Sequence, residues 1–196
     1  MSPELAQESL DLAKLPKGQR ERRRRIVDAA VRALSGQDYH AVQIKDIAED
    51  AGVALGTLYR YFSSKDHLYA AAVAEWGRSL ENRAAEWPSP GLDRLRRKCA
   101  LTLEEFRSFP ELHRVYQALS TSTEASVRAL AAATADAGHR WLAEDLDFDG
   151  TEAAHDHSRI IWGVIAVAVQ EDVDDGDRIL DRCLRMIEAT TGSGAA

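Results

Sequence analysis

Apolar positions along this chain recur at helical spacing, and no segment shows the sustained alternation of a strand. Ile26, Ala29, Ala30, Ala33 and Leu34 stand at i, i+3, i+4, i+7 and i+8, which predicts one buried face on a helix over residues 18–34, ended by Gly36. Val42, Ile44, Ile47, Ala48 and Ala51 mark the buried side of a second, short helix. Gly52 follows and predicts a tight turn, because glycine adopts a positive φ at little cost. In a third helix over residues 55–62, Leu58 and Phe62 lie four apart and point to a small core with Ile26 and Ile47. Ser63 or Ser64 then caps a long fourth helix reaching about Ala85. Asp66 sits in its first turn, where a carboxylate complements the helix dipole. Leu68, Ala72, Trp76 and Leu80 form its apolar side.

Pro88, Pro90 and Gly91 interrupt the pattern, and five further helices are expected over about 92–109, 111–119, 124–146, 152–170 and 174–190. The reading is an all-α chain of about nine helices. Residues 1–17 form a flexible arm, 18–65 a three-helix domain, 66–191 a helical body and 192–196 a flexible tail. Ile160–Val169 is the longest apolar run, and ten residues are too few to span a bilayer. No charged start leads into an apolar run as in a secretion signal, so a cytoplasmic protein with no membrane partner is expected. Cys99 and Cys183 cannot build a disulfide framework and are expected to be buried thiols.

Charge changes the picture. The net charge of −7 argues against a nucleic-acid partner until its distribution is examined. Residues 17–65 hold 10 Lys/Arg against 6 Asp/Glu, or +4, while the remainder holds 15 against 26, or −11. A basic head can bind phosphates while an acidic body repels them. Five arginines fall within residues 19–25, and Arg20, Arg22 and Arg23 are the first choices to face DNA, ahead of Arg24 and Arg25. The third helix is the expected reader. Leu55 and Thr57 are short enough to approach thymine methyls, Gly56 permits close approach to the groove floor, and Arg60 suits guanine or phosphate. Tyr59 joins that exposed face, Lys45 reaches from the second helix, and Tyr61 and Lys65 at the trailing edge suit phosphate.

The stretch Ile44-x-x-Ile-Ala48, then Gly52-Val-Ala-Leu-Gly-Thr-Leu-Tyr-Arg-Tyr-Phe-Ser-Ser-Lys65 and Leu68, resembles the DNA-binding region of TetR-type transcriptional regulators. The resemblance covers about Gln19 to Leu80 and is only architectural beyond it. It implies an N-terminal helix-turn-helix three-helix domain followed by a helical ligand-binding and dimerisation domain. In that family Tyr61 and Lys65 would hold phosphates, and Thr57 and Tyr59 would face the groove. Gln43 departs from the Ser or Thr cap of many members; it is a poor cap and is assigned instead to phosphate. More narrowly, residues 19–26, 39–43 and 53–62 look like those of actinobacterial repressors of sterol-degradation genes. That likeness implies a steroid-CoA or acyl-CoA effector. The alternatives are an activator of the same type, or a repressor answering an unrelated hydrophobic compound such as a drug.

The body supplies Trp76, Phe106, Phe109, Tyr116, Trp141 and Trp162 to line an apolar effector cavity, with Arg107 and Arg114 to meet an acidic group on the ligand. The penultimate helix is apolar nearly all round and must be covered on most sides. A four-helix contact between two copies would cover it, formed by Ile161, Val164, Ile165 and Ala168 with Ile179, Leu180, Cys183, Leu184 and Ile187. A homodimer would read two half-sites of a palindromic operator in double-stranded DNA. His139, His155 and His157 lack metal-site spacing. No nucleophile motif or phosphate loop is present, so no enzyme, metal or cofactor is expected.

Overall fold

The computed structural model describes residues 14–34, 37–88, 90–146, 151–170 and 176–191. Residues 1–13 of the arm expected over 1–17, the stop at Gly36, the loop 147–150 and the tail 192–196 lie outside the described residues. Among the described residues there are nine helices and no strand. They are α1 (Lys17–Leu34), α2 (Ile44–Asp50), α3 (Leu55–Tyr61), α4 (Lys65–Ala84), α5 (Leu92–Ser108), α6 (Pro110–Leu119), α7 (Ala125–Ala143), α8 (Thr151–Gln170) and α9 (Gly176–Thr191). Most helix ends fall close to the positions expected from periodicity. The clearest difference is α7, which ends at Ala143 rather than near Leu146.

The chain divides into two compact units, Met1–Gly77 with Glu111–Ala135 and Arg78–Pro110 with Asp136–Ala196. Both α4 and α7 therefore contribute to each unit. In the first unit Ile26, Ile47, Leu58, Phe62, Leu68 and Tyr69 are all at most 1% exposed and form the core. The Tyr69 hydroxyl donates to the Ala30 carbonyl at 3.0 Å, tying α4 to α1. Arg32 reaches Asp50 through two nitrogens, at 2.8 and 3.1 Å, tying α1 to α2.

Gly52 closes α2 at φ +64°. Its N–H donates to Glu49 at 3.0 Å and that of Val53 to Ala48 at 2.9 Å. This is the paired closure in which a left-handed residue satisfies the last carbonyls of a helix. Ser64 caps α4 by accepting from the His67 N–H at 3.0 Å. Gln43 precedes α2 in extended backbone with no side-chain cap bond, as its residue type leads one to expect.

In the second unit Leu95, Cys99, Leu103, Phe106, Leu142, Ile161, Ile165 and Leu184 are buried. Burial pushes the Cys99 thiol up to about 12. Lys98, 1% exposed, is the most deeply buried cation of this core. Its ammonium meets Asp145 at 2.7 Å, donates to the Trp141 carbonyl and lies 4.8 Å from the Trp141 ring centre. Arg94 donates to the same Asp145 at 2.6 Å. A buried charge is tolerated when it is paired in this way. The cluster fixes α5 to the end of α7.

Candidate nucleic-acid interface

The Gly52 turn sets α2 and α3 as a helix-turn-helix. Leu58 and Phe62 anchor α3 from below, so the side chains between them must face out. Leu55 is 42% and Tyr59 is 50% exposed, one turn apart, and Arg60 and Gly56 are exposed beside them. Leu55 and Tyr59 thus leave an apolar and an aromatic group open to solvent on one short helix. Thr57 and Tyr61 are half-buried at its edges. Lys45 and Gln43 are exposed on and just before α2. A side-chain carbon added at Gly56 would meet nothing within 4 Å, so packing inside the protein does not require glycine there.

On α1, Arg20, Arg24 and Arg25 are exposed and Arg22 is half-buried. Arg23, expected to face DNA, turns inward instead. It is 7% exposed, pairs with Glu75 of α4, and its guanidinium lies 5.1 Å from the centre of the Phe62 ring. The cause is register: 23, 26, 27, 30 and 34 share one helical face, and counting back three from Ile26 already placed Arg23 on it. Lys65 also has internal work. Its ammonium donates to the carbonyls of Val42, at 2.7 Å, and Tyr39, and lies 4.3 Å from the Tyr39 ring centre. Burial lowers its pKa. Lys65 braces the turn that leads into α2.

On α8 and α9, six of the nine residues expected at a contact between copies are buried within their own unit. Ile161, Ile165, Ala168, Leu180, Leu184 and Ile187 are at most 5% exposed and are consumed by the core of their own unit, where α5, α8 and α9 pack together. They cannot also meet a partner. Val164 and Cys183 are half-buried and Ile179 is 40% exposed. The outward stripe is Ile160, Gly163 and Val167 on α8 with Ile179 and Met186 on α9, at 56% exposure for Ile160, 50% for Val167 and 66% for Met186. A helix apolar on all sides hides from periodicity which side faces its own core.

Residues 26–72 match the family model described as bacterial regulatory proteins, tetR family. This segment is a TetR-family domain. Among curated relatives, the transcriptional repressor KstR of Rhodococcus jostii is 47% identical over 70 residues, 36% of this chain and 33% of that protein. KstR of Mycolicibacterium smegmatis is 54% identical over 63 residues, 32% of this chain and 29% of that one. The fatty acid metabolism regulator protein of Bacillus subtilis is 39% identical over 59 residues, 30% of each chain. The matched stretch thus spans about a third of the length of these curated relatives. A TetR transcriptional regulator from Rhodococcus sp. RHA1 has a similar fold, with a TM-score of 0.69 at 25% identity over 86% of this chain and 96% of that one. FadR of Bacillus subtilis, solved in complex with stearoyl-CoA, has a TM-score of 0.62 at 20% identity over 83% and 96%.

The aromatic residues expected to line an effector cavity are divided between the two units. Trp76 and Tyr116 belong to the first unit and Phe106, Phe109, Trp141 and Trp162 to the second. Phe106 and Trp162 meet edge to face at 6.1 Å, and Trp162 meets His139 at 6.0 Å, which in turn meets His155 at 5.7 Å. Trp141 instead packs against the Lys98 ammonium. Phe109 is half-buried. Arg107 pairs with Asp177 at 3.0 Å and Arg114 with Glu111, both as surface ion pairs. The histidines of this aromatic cluster carry little sequence signal, because their spacing suits no metal and their ring contacts join separate helices. No group of three or more His, Cys, Asp or Glu suited to a metal occurs among the described residues, and no described helix is long and apolar enough to cross a membrane.

Burial depresses the pKa of His139 below 6.5, with the neighbouring His155 and Arg159 adding to the shift against Asp136. Burial does the same for His113, aided by Arg114. A group depressed in the folded state contributes stability that is complete above its unfolded pKa and is lost as pH falls through the folded one. The thermal midpoint is therefore expected to hold between pH 7.5 and 6.5 and to fall below 6.5. The double variant His113→Gln, His139→Gln is expected to flatten the decline between pH 6.5 and 5.5 in scanning calorimetry. An equal decline in wild type and variant would refute the assignment.

Proposed function

We propose that this protein is a ligand-responsive transcriptional repressor that binds palindromic operator DNA as a homodimer. The observation that carries the reading is α3, held from below by Leu58 and Phe62 while Leu55, Gly56, Tyr59 and Arg60 face outward. An arginine there donates to guanine or phosphate, and Tyr59 supplies an aromatic contact and a hydroxyl. Gln43 and Lys45 flank this face, and Arg20, Arg22, Arg24 and Arg25 provide phosphate-binding charge nearby in sequence. Tyr61 addresses phosphate from the trailing edge. Lys65 contributes mainly by bracing the turn, and Arg23 by packing. Gly56 supports the reading independently. Gly56 stands in the first turn of α3, where glycine costs less than the roughly 1 kcal/mol of a helix interior relative to alanine, and nothing inside the protein needs it. An approaching groove does.

The dimer is formed through the outward stripe of α8 and α9, which leaves the two heads to address two half-sites. The effector is a largely apolar molecule, with a steroid-CoA or acyl-CoA thioester as the favoured class. Support comes from the KstR and fatty acid regulator relatives and from the stearoyl-CoA complex of FadR. It would meet the Phe106, Trp162 and His139 cluster. Calorimetry with steroid-CoA and acyl-CoA panels tests this class, and release of operator by another metabolite alone would reject it.

The DNA reading is tested with a palindromic duplex selected by the protein from random DNA. Tyr59→Ala and Arg60→Ala are each expected to cost about 1–3 kcal/mol of operator affinity, tenfold or more, with an unchanged unfolding midpoint. Gly56→Ala is expected to raise the midpoint while weakening the operator complex. Wild-type affinity in all three variants would overturn the reading.

A further inference from the structure

The carboxylate of Asp66, in the first turn of α4, accepts two hydroxyls from segments far apart in sequence. The Tyr39 hydroxyl, from the turn before α2, donates to Oδ1. The Ser122 hydroxyl, from the turn between α6 and α7, donates to Oδ2 at 2.7 Å. All three residues belong to the first unit. Each end of this chain is itself fastened. The Tyr39 ring packs edge-on against Tyr69 at 5.2 Å, and its carbonyl accepts from Lys65. Ser122 is 8% exposed, its carbonyl accepts from Arg128 at 2.6 Å, and its hydroxyl accepts the Glu124 N–H at 3.3 Å. Burial and the Asp66 carboxylate together raise the pKa of Tyr39, so its hydroxyl keeps its proton and remains a donor.

Beside Asp66, Lys65 of α4 holds the Val42 and Tyr39 carbonyls, and Phe62, Leu68 and Tyr69 are buried in the apolar core of the same unit. Apolar packing is non-directional, whereas hydrogen bonds to a charged acceptor are short and directional. We propose that Tyr39, Asp66 and Ser122 are positioning residues for operator binding, a latch that fixes the orientation of α2 and α3 against the α6–α7 turn. None of them touches DNA in this reading. A head free to rotate by a small angle must be ordered at the moment of binding, and that ordering weakens the complex. The latch also gives the α6–α7 turn a direct connection to the reading helices.

This inference rests on the operator-binding reading, so the experiment has one arm that uses DNA and one that does not. Without DNA, Tyr39→Phe and Ser122→Ala are each expected to speed amide exchange over residues 38–47. Exchange over the first turn of α7 should rise only in Ser122→Ala, which also loses the Glu124 cap. Ser122→Thr, which keeps the hydroxyl, is expected to restore protection at residues 38–47. With the selected operator duplex, each single variant is expected to weaken binding about fivefold. The double variant should match the singles, since either change opens the same chain, rather than multiply them. Unchanged exchange at residues 38–47 in both variants would overturn the latch whether or not the protein binds DNA. Faster exchange with a wild type that fails to bind any duplex would leave the latch standing and reject the operator reading. Multiplicative losses in the double variant would overturn the latch as a single unit.

Discussion

Val167→Arg combined with Met186→Arg is expected to convert the proposed dimer to a monomer and to abolish the tight operator binding proposed for it. Both side chains point to solvent, at 50% and 66% exposure, on adjoining helices. Burying an apolar side chain of this size contributes about 1.5–3 kcal/mol. Two such positions on each of two copies, replaced by like charges facing one another across a two-fold axis, remove that gain and add repulsion. Sedimentation at about ten micromolar would show the monomer mass, with helical content unchanged in the far ultraviolet. Operator affinity is expected to fall at least about a hundredfold, because two linked half-site contacts become one. Ile161→Ala is the control from the other side of α8. Ile161 is fully buried, so this change should lower stability by about 2–5 kcal/mol and leave the dimer intact wherever the protein remains folded. A dimer that survives both arginines would place the self-contact elsewhere.

The contrast between Ile161 and Val167 explains what could be read in the sequence and what could not. The head was legible almost throughout, because each of its helices has one apolar face and solvent on the other. Ile26, Ile47, Leu58 and Phe62 were expected to meet, and all four are at most 1% exposed. Gly52 was expected to turn the chain, and it does so at a positive φ. Arg23 was misplaced because residue type outweighed register: a run of five arginines suggests a solvated stripe, but a helix must turn one of them inward. The bracing contacts of Lys65 could not be read because its partners are backbone carbonyls at positions 39 and 42, which carry no side-chain signature. On α8 the period itself fails. With Ile160 and Ile161 adjacent and similar in chemistry, only the packing of α5 and α9 decides which is core and which is surface. The Tyr39, Asp66 and Ser122 contact was beyond reach for a related reason, since three separated segments meet there and each residue alone reads as an ordinary turn or cap residue.

Phe62→Ala is expected to produce the largest loss of stability of any single change in the head. The ring is 1% exposed and sits where α3 ends, between the Arg23 guanidinium at 5.1 Å and the His67 ring at 5.7 Å. Truncating a buried phenylalanine costs about 3–5 kcal/mol, from lost transfer energy and the cavity left behind. Here the change also removes the aromatic face over which Arg23 is buried. That cost compares with a total of about 5–15 kcal/mol for an ordinary domain, so the head would be partly unfolded at growth temperature. Urea unfolding followed by far-ultraviolet ellipticity measures the shift. Three residues earlier on the same short helix, Tyr59→Ala removes a side chain that is half exposed, and surface changes of that kind stay within about 0.5 kcal/mol. Both variants should lose operator binding, for opposite reasons. Lowering the temperature, or adding duplex in excess, should recover part of the binding in Phe62→Ala, because the operator selects the folded head and draws the equilibrium toward it. Neither treatment should restore the wild-type affinity of Tyr59→Ala, whose head is already folded. A return of Tyr59→Ala to wild-type affinity on cooling, or an unfolding midpoint in Phe62→Ala equal to that of the wild type, would mean that the buried and exposed faces of α3 have been assigned the wrong way round.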